Sequence, residues 1–160
     1  EDSDALWYAI KEGLIDVIAS DHATHTLEEK DQGWSNIWRS PPGLPSIETM
    51  LPLLLTKVNS GELELGRLIQ MTSTNPAKIL GVYPQKGTIE RGSDADLVVV
   101  DLKREAEISG EAFFSKNKWT PFEGWRVKGL PVTTFVRGVK TFDEGEILGK
   151  SGQGRPLGIK

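Results

Sequence analysis

The sequence has no cysteine, and it has only two histidines, His22 and His25, among its 160 residues. Without cysteine the chain forms neither a disulfide nor a thiolate metal site. This absence suits the reducing conditions of the cytosol, so we expect a cytoplasmic protein.

Long apolar runs are also missing. A membrane-spanning helix needs about 20 consecutive apolar residues, and the longest apolar run here, residues 51–55, already contains a proline. Residues 1–4, Glu-Asp-Ser-Asp, are unlike the start of a secretory signal. We therefore expect a soluble protein without a membrane partner.

Basic residues are scattered in runs of at most two, and the formal net charge is -4. Nucleic acids and anionic membranes select basic patches, so we expect no nucleic-acid partner. The 38% of hydrophobic residues is enough for one globular core.

Helical and strand patterns alternate through residues 1–85. Asp2 or Ser3 is predicted to cap a helix that Gly13 ends. Residues 14–19 are apolar and rich in β-branched side chains, which is typical of a strand buried in a parallel sheet. The rest of this part is predicted as a polar loop at 27–45 and helices at 46–58, 63–71 and 75–80, with Ser46 and Asn75 as caps.

Residues 86–160 are β in character. The pattern predicts strands at 87–90 and 97–100, a loop at 113–128, a hairpin of 132–137 with 140–142 about Gly138, and a Gly/Pro-rich tail from about 149. Helices followed by strands indicate the α/β fold class.

A cluster of polar residues, 20–26, follows the predicted strand at 14–19. Catalytic groups of βα barrels project from this end of a strand, which makes Asp21 a candidate metal ligand or proton acceptor. His25 is a candidate donor to an anionic substrate. From the spacing alone, a turn-capping Asp21 with solvated histidines is the favoured alternative. For Trp34 and Trp38, packing is favoured over a role in a mobile active-site loop.

Five segments carry a resemblance to a known family. Residues 21–30, Asp-His-Ala-Thr-His-Thr-Leu-Glu-Glu-Lys, resemble the Asp-His-Ala-Pro-His-Thr motif of dihydroorotases. The segments that follow in the family's order are 41–56, 72–81, 86–98 and 114–124. The resemblance is to archaeal dihydroorotases and to the dihydroorotase domain of the animal multifunctional pyrimidine protein. Residues 92–97 alone are a superfamily motif, shared with urease-like and hydantoinase-like enzymes.

The resemblance implies a fold and an activity. Residues 1–85 would be the C-terminal end of a (β/α) TIM barrel, with its last βα unit and closing helices. Residues 86–160 would be the C-terminal portion of a small β-sandwich domain and a tail. The activity would be the zinc-dependent, reversible hydrolysis of the cyclic amide of dihydroorotate to N-carbamoyl-aspartate, in pyrimidine biosynthesis.

The resemblance also implies roles for individual residues. Asp21 would be both a metal ligand and the catalytic proton carrier, and His25 would bind the substrate carboxylate. Pro42 and Gly43 would bind substrate through the backbone, where proline has no N–H to donate. His22 matches a histidine that is not a ligand. Thr24 departs from the family, which has proline there.

The family's other metal ligands have no counterpart in this chain, which contains no His-x-His pair. A working zinc site has about three protein ligands, and a TIM barrel needs about 250 residues. The resemblance therefore implies the C-terminal part of an enzyme that holds one or two zinc ions when complete. Its expected partners are the small-molecule substrate, the missing N-terminal part or a homo-oligomer, and aspartate transcarbamoylase.

Two alternatives stay open at this point. The substrate could be allantoin or a hydantoin, within the same class of cyclic amidohydrolase. The chain could instead be a non-catalytic dihydroorotase-like assembly module.

The isolated chain is predicted to be inactive, and to be unstable or oligomeric, because a piece of a barrel exposes strand edges and an apolar helix face. Thermal unfolding combined with sedimentation tests this. A cooperative transition of a monomer would contradict the prediction.

Overall fold

The structure is a computed structural model that describes residues 1–158, so residues 159 and 160 of the predicted tail lie outside the described residues. Its helices are α1 (Asp2–Lys11), α2 (Leu27–Ser35), α3 (Met50–Asn59), α4 (Leu65–Ile69) and α5 (Asn75–Ile79). Its strands are β1 (Leu97–Glu107), β2 (Arg126–Val136), β3 (Val139–Asp143) and β4 (Glu146–Ile147). Shorter helical turns are Ile37–Arg39, Gly110–Ala112 and the π-helical segment Gln70–Thr74.

The chain forms two compact units. The first unit comprises Glu1–Ala19, Ser60–Asp101 and Pro131–Lys160, and the second comprises Ser20–Asn59 and Leu102–Leu130. These are units of this chain, and the assignment of residues 1–85 to a barrel and 86–160 to a sandwich stays a prediction.

Helix α1 forms as predicted, but the predicted cap is wrong. Asp2 lies inside the helix, and Glu1 occupies the cap position without a side-chain hydrogen bond. Acidic side chains in the first turn instead interact favourably with the helix dipole. Gly13, with φ +76°, follows the end of the helix as expected.

The predicted strand at residues 14–19 is not formed among the described residues. Single hydrogen bonds tie this segment to the α4–α5 region: Arg67 Nη2 donates to the Ile15 carbonyl at 2.5 Å, Asn75 Nδ2 to the Asp16 carbonyl at 2.9 Å, and the Ile18 N–H to the Met71 carbonyl at 3.2 Å. A strand requires a ladder of hydrogen bonds with a second strand, and no described segment supplies one. Asn75 is the first residue of α5 rather than its cap.

Helices α4 and α5 are joined through Gln70–Thr74, and their inner face is the core of the first unit, where Leu68 and Met71 are fully buried. The strand predicted at 87–90 is absent because Gly87 packs against α5. Its carbonyl accepts a hydrogen bond from Thr74 Oγ1 at 2.8 Å, and a Cβ there would lie 2.5 Å from Ala77 Cβ.

The four strands form one sheet in the order β1-β2-β3-β4. The predicted hairpin is confirmed: β2 and β3 pair antiparallel with Val136 opposite Val139, and the turn contains Gly138. Strand β2 begins ten residues before Val136, at Arg126, so the loop predicted at 113–128 ends earlier than expected. The α/β character of the chain is confirmed.

Helix α3 carries the core of the second unit, with Leu54 and Leu55 buried. The backbone of β2 approaches it so closely that a Cβ on Gly129 would lie 2.7 Å from Leu55 Cβ. Asn59 Nδ2 donates to the Lys128 carbonyl at 2.9 Å. The helix starts at Met50, four residues later than predicted from Ser46, because residues 47–49 form a turn first.

Glu48, just before α3, anchors the loop that contains Phe114 and Ser115. Both backbone N–H groups donate to its carboxylate at 2.9 Å, and the Ser115 hydroxyl donates at 2.7 Å. Burial alone would raise the pKa of Glu48, but these hydrogen bonds outweigh it and hold the pKa below its usual value.

Glu48→Gln is expected to lower the free energy of unfolding by about 1.5 kcal/mol, because hydrogen bonds to a charged acceptor are lost. Since the folded pKa is lowered, the wild-type advantage is fully present above pH 4.5, the ordinary value, and disappears as the pH falls through the folded pKa. Urea midpoints from pH 7 to pH 3 measure this. Glu111→Gln is the control, since Glu111 is exposed; an equal effect of both substitutions would contradict the role given to Glu48.

Candidate functional site

Asp21 is exposed and has a left-handed backbone, with φ +44°. Aspartate and asparagine tolerate this conformation better than other residues with a Cβ. Within residues 1–158 the structure shows no hydrogen bond to the Asp21 carboxylate, so the turn-capping interpretation has no contact to support it. The carboxylate is therefore available to a ligand.

The segment that contains Asp21 is joined to the one that contains Gly43. His22 and Leu44 form a parallel β-bridge, the Ala23 N–H donates to the Leu44 carbonyl at 3.0 Å, and Ser46 Oγ donates to the Ser20 carbonyl at 2.6 Å. We call these contacts, together with those of His22 below, the segment bridge. It fixes the backbone on either side of Asp21 and on the C-terminal side of Gly43.

His22 has a structural task in the segment bridge. Its Nδ1 accepts the backbone N–H groups of Ser46 at 3.0 Å and of Ile47 at 3.3 Å. Nδ1 serves here only as an acceptor, and one ring nitrogen thereby pairs two backbone donors.

His25 is half-buried, with 34% of its side chain exposed, and its Nδ1 lies 3.4 Å from Glu29 Oε2. The indole Nε1 of Trp119 donates to the His25 carbonyl at 2.7 Å. Contacts from helix α2 and from the loop before β2 thus meet at this residue.

Glu29 is itself held in a capping box at the start of α2. The Thr26 N–H donates to Glu29 Oε2 at 2.8 Å, and the Glu29 N–H donates to Thr26 Oγ1 at 3.2 Å. The hydrogen bond from the Thr26 backbone is the main reason that the pKa of Glu29 lies below its usual value. Helix α2 contradicts the polar loop predicted at 27–45, and the Thr-x-x-Glu spacing is the sequence signal that could have revealed the helix.

The Pro42–Gly43 backbone is held from two sides. Lys30 Nζ donates to the carbonyl of Pro41 at 2.5 Å and to that of Gly43 at 2.6 Å. Gly43 has φ +96°, and a Cβ there would lie 2.5 Å from the Cβ of Ala23. Glycine is therefore required both for the backbone conformation and for the close approach.

The structure places Asp21, His25, Pro42 and Gly43 in the second unit. Sequence reasoning missed Lys30, Glu29 and Trp119, whose contacts join positions 11, 4 and 94 residues apart. The prediction that Trp34 and Trp38 are packed is wrong within this chain, since they are 92% and 93% exposed.

A metal ion would find too few ligands among the described residues. Within residues 1–158 no three His, Cys, Asp or Glu side chains cluster as a metal site would require. Asp21 alone does not satisfy zinc, which takes about three protein ligands.

Comparison with known proteins identifies the family. Residues 1–141 match the Amidohydrolase family. The chain belongs to that family. No helix in the described part of the chain is long and apolar enough to cross a bilayer.

The relatives that match the chain include proteins named dihydroorotase and proteins named hydantoinase. The chain is 46% identical to the dihydroorotase of Pyrococcus furiosus over 150 residues, which are 94% of this chain and 34% of that protein. It is 44% identical to the L-hydantoinase of Paenarthrobacter aurescens over 151 residues, 94% of this chain and 33% of that protein. The chain thus spans about a third of the length of these relatives. The predicted resemblance to dihydroorotases is confirmed, and the similarity to hydantoinases is as high.

Solved amidohydrolase structures share the fold. The L-hydantoinase from Arthrobacter aurescens aligns with a TM-score of 0.86 at 44% identity, covering 91% of this chain and 32% of that one. A D-hydantoinase from Thermus sp. aligns with a TM-score of 0.91 at 37% identity, covering 95% and 33%.

Gly43→Ala is expected to destabilise the chain by about 2 kcal/mol more than Gly124→Ala, because only the first adds a steric clash to an unfavourable φ. Gly124 is a matched control with φ +77° and open space around its Cβ position. Urea unfolding measures the difference, and adding Ala23→Gly to Gly43→Ala should recover most of it. Equal effects at both glycines would show that the contact with Ala23 is unimportant.

Proposed function

We propose that this chain is part of a dihydroorotase, which hydrolyses the cyclic amide of dihydroorotate to N-carbamoyl-aspartate and catalyses the reverse ring closure. The main support is that the segment bridge links the candidate catalytic and substrate-binding segments within one unit. The 46% identity to a dihydroorotase supports it as well.

The backbone at residues 42 and 43 suits a cyclic amide. The Gly43 carbonyl already accepts a hydrogen bond from Lys30, and Pro42 has no backbone N–H to donate. Two backbone groups have no hydrogen bond within residues 1–158 and are left for a ligand: the Pro42 carbonyl, an acceptor, and the Gly43 N–H, a donor. The edge of a dihydropyrimidine ring offers the complementary N–H and C=O.

Asp21 and His25 would act on other parts of the substrate. An imidazole N–H of His25 would donate to the carboxylate of dihydroorotate. As water adds to the ring carbonyl, the Asp21 carboxylate would accept its proton and pass it to the ring nitrogen when the C–N bond breaks. Ring closure is the same sequence in reverse.

The larger assembly follows from the same proposal. Residues 1–85 would close a TIM barrel, and residues 86–160 would complete a small β-sandwich. Zinc ligands other than Asp21 would come from outside this chain. The complete enzyme would serve pyrimidine biosynthesis in the cytoplasm, as a homo-oligomer or beside aspartate transcarbamoylase.

Hydantoin hydrolysis is the second candidate, favoured by the 44% identity to an L-hydantoinase. A hydantoin ring offers the same N–H and C=O edge to residues 42 and 43. It has no ring carboxylate, so a hydantoinase would have no corresponding use for His25.

The test is zinc-dependent ring opening by this chain mixed with the separately produced N-terminal two-thirds of the Pyrococcus furiosus dihydroorotase. We expect activity on dihydroorotate in the mixture, none with either part alone, and a loss of at least 100-fold for Asp21→Asn. Asparagine tolerates the left-handed backbone, so this variant removes charge without adding strain.

His25→Gln separates the two candidates. It should weaken the reaction of dihydroorotate about tenfold or more and leave the opening of hydantoin unchanged. Faster opening of hydantoin than of dihydroorotate by the wild-type mixture would favour a hydantoinase. A demonstrated complex without activity on either substrate would favour the non-catalytic module.

A further inference from the structure

Lys30 connects helix α2 to the candidate substrate loop. Its ammonium donates to the carbonyls of Pro41 and Gly43, the residues on either side of Pro42. We propose that Lys30 is a positioning residue, which holds the Pro42–Gly43 backbone in the conformation that binds the cyclic amide. Its effect on catalysis rests on the proposed function, whereas its effect on the loop does not.

The loop needs such a restraint because its geometry is uncommon. Gly43 has φ +96°, and a glycine also populates many other conformations when nothing holds it. The segment bridge fixes Leu44 and Ser46 on the C-terminal side of the loop. Lys30 is the contact on its N-terminal side, at Pro41, and at Gly43 itself.

A lysine suits this task chemically. Two carbonyl dipoles converge on one ammonium, which carries three donors and forms hydrogen bonds that its charge strengthens. Both carbonyls are thereby turned toward Lys30. The Pro42 carbonyl and the Gly43 N–H are left for the ligand.

The position of Lys30 is fixed by the capping box at the start of α2. Helix α2 buries none of its residues, so apolar packing does not determine its place. The reciprocal hydrogen bonds of Thr26 and Glu29 fix its first turn directly before Lys30. In the same turn, Glu29 lies beside His25. One helical turn therefore contacts both candidate substrate-binding elements, His25 and the Pro42–Gly43 loop.

The first measurement is amide hydrogen exchange on the 160-residue chain, alone and in the mixture with the N-terminal two-thirds of the Pyrococcus furiosus dihydroorotase. The probes are the Ala23 and Ser46 amides, which are hydrogen-bonded across the segment bridge. Lys30→Met should speed their exchange about tenfold. The control Lys116→Met removes an exposed lysine and should change neither amide.

The second measurement is kinetic, in the same mixture. If the loop in Lys30→Met is competent about a tenth of the time, the KM for dihydroorotate rises about tenfold while kcat stays within twofold. Lys30→Arg keeps the positive charge and still has donors for both carbonyls, so it should recover most of the loss. If Lys30→Met does not fold, the test is made with Lys30→Arg. That variant must then show the amide exchange rates and the KM of the wild type.

Unchanged exchange in folded Lys30→Met overturns the proposal, and so does a fall in kcat at constant KM. If the wild-type mixture does not open dihydroorotate, the proposed function fails, while the exchange rates still decide the role of Lys30.

Discussion

The candidate site depends on one set of hydrogen bonds, those that join the Asp21 segment to the Gly43 segment through His22 and Ser46. The imidazole accepts two backbone N–H groups, and the serine hydroxyl reaches back to the Ser20 carbonyl. Buried or half-buried polar backbone is costly unless it is paired. These contacts pair it while leaving the Asp21 side chain unengaged. The catalytic candidate and the substrate loop thus share one backbone framework.

Around this framework the remaining contacts are also polar. Lys30 holds the loop, Glu29 lies against His25, and Trp119 holds the His25 carbonyl from 94 residues away. Helix α2 contributes no buried apolar side chain to any of this. Its sequence therefore looks like a surface loop by hydrophobic pattern, although its capping box marks a helix.

How far the sequence predicts the structure depends on the range of the interaction involved. Local patterns succeeded: α1, α3 and the hairpin at Gly138 follow from apolar periodicity and a turn glycine. The strand expected at residues 14–19 failed because a strand needs a neighbour. The prediction that Trp34 is packed failed for a similar reason. Burial requires a second surface against the side chain, and a sequence pattern does not show whether one is present.

The candidate site shows the same division. Asp21, His25, Pro42 and Gly43 were predicted as site residues from a family resemblance, and all four lie in the second unit. Lys30 was not identified, because nothing in a lone lysine tells which distant carbonyl it will reach. The steric need for glycine at position 43 likewise appears only once Ala23 is seen beside it.

The left-handed backbone at Asp21 limits what can replace it. Most L-residues lose about 1 kcal/mol in this conformation, whereas aspartate and asparagine tolerate it better and glycine adopts it freely. Of these three, only aspartate brings a negative charge to the exposed turn at φ +44°. Under the proposed function, an exchange for glycine or asparagine would keep the backbone of this turn and lose the group that carries the proton.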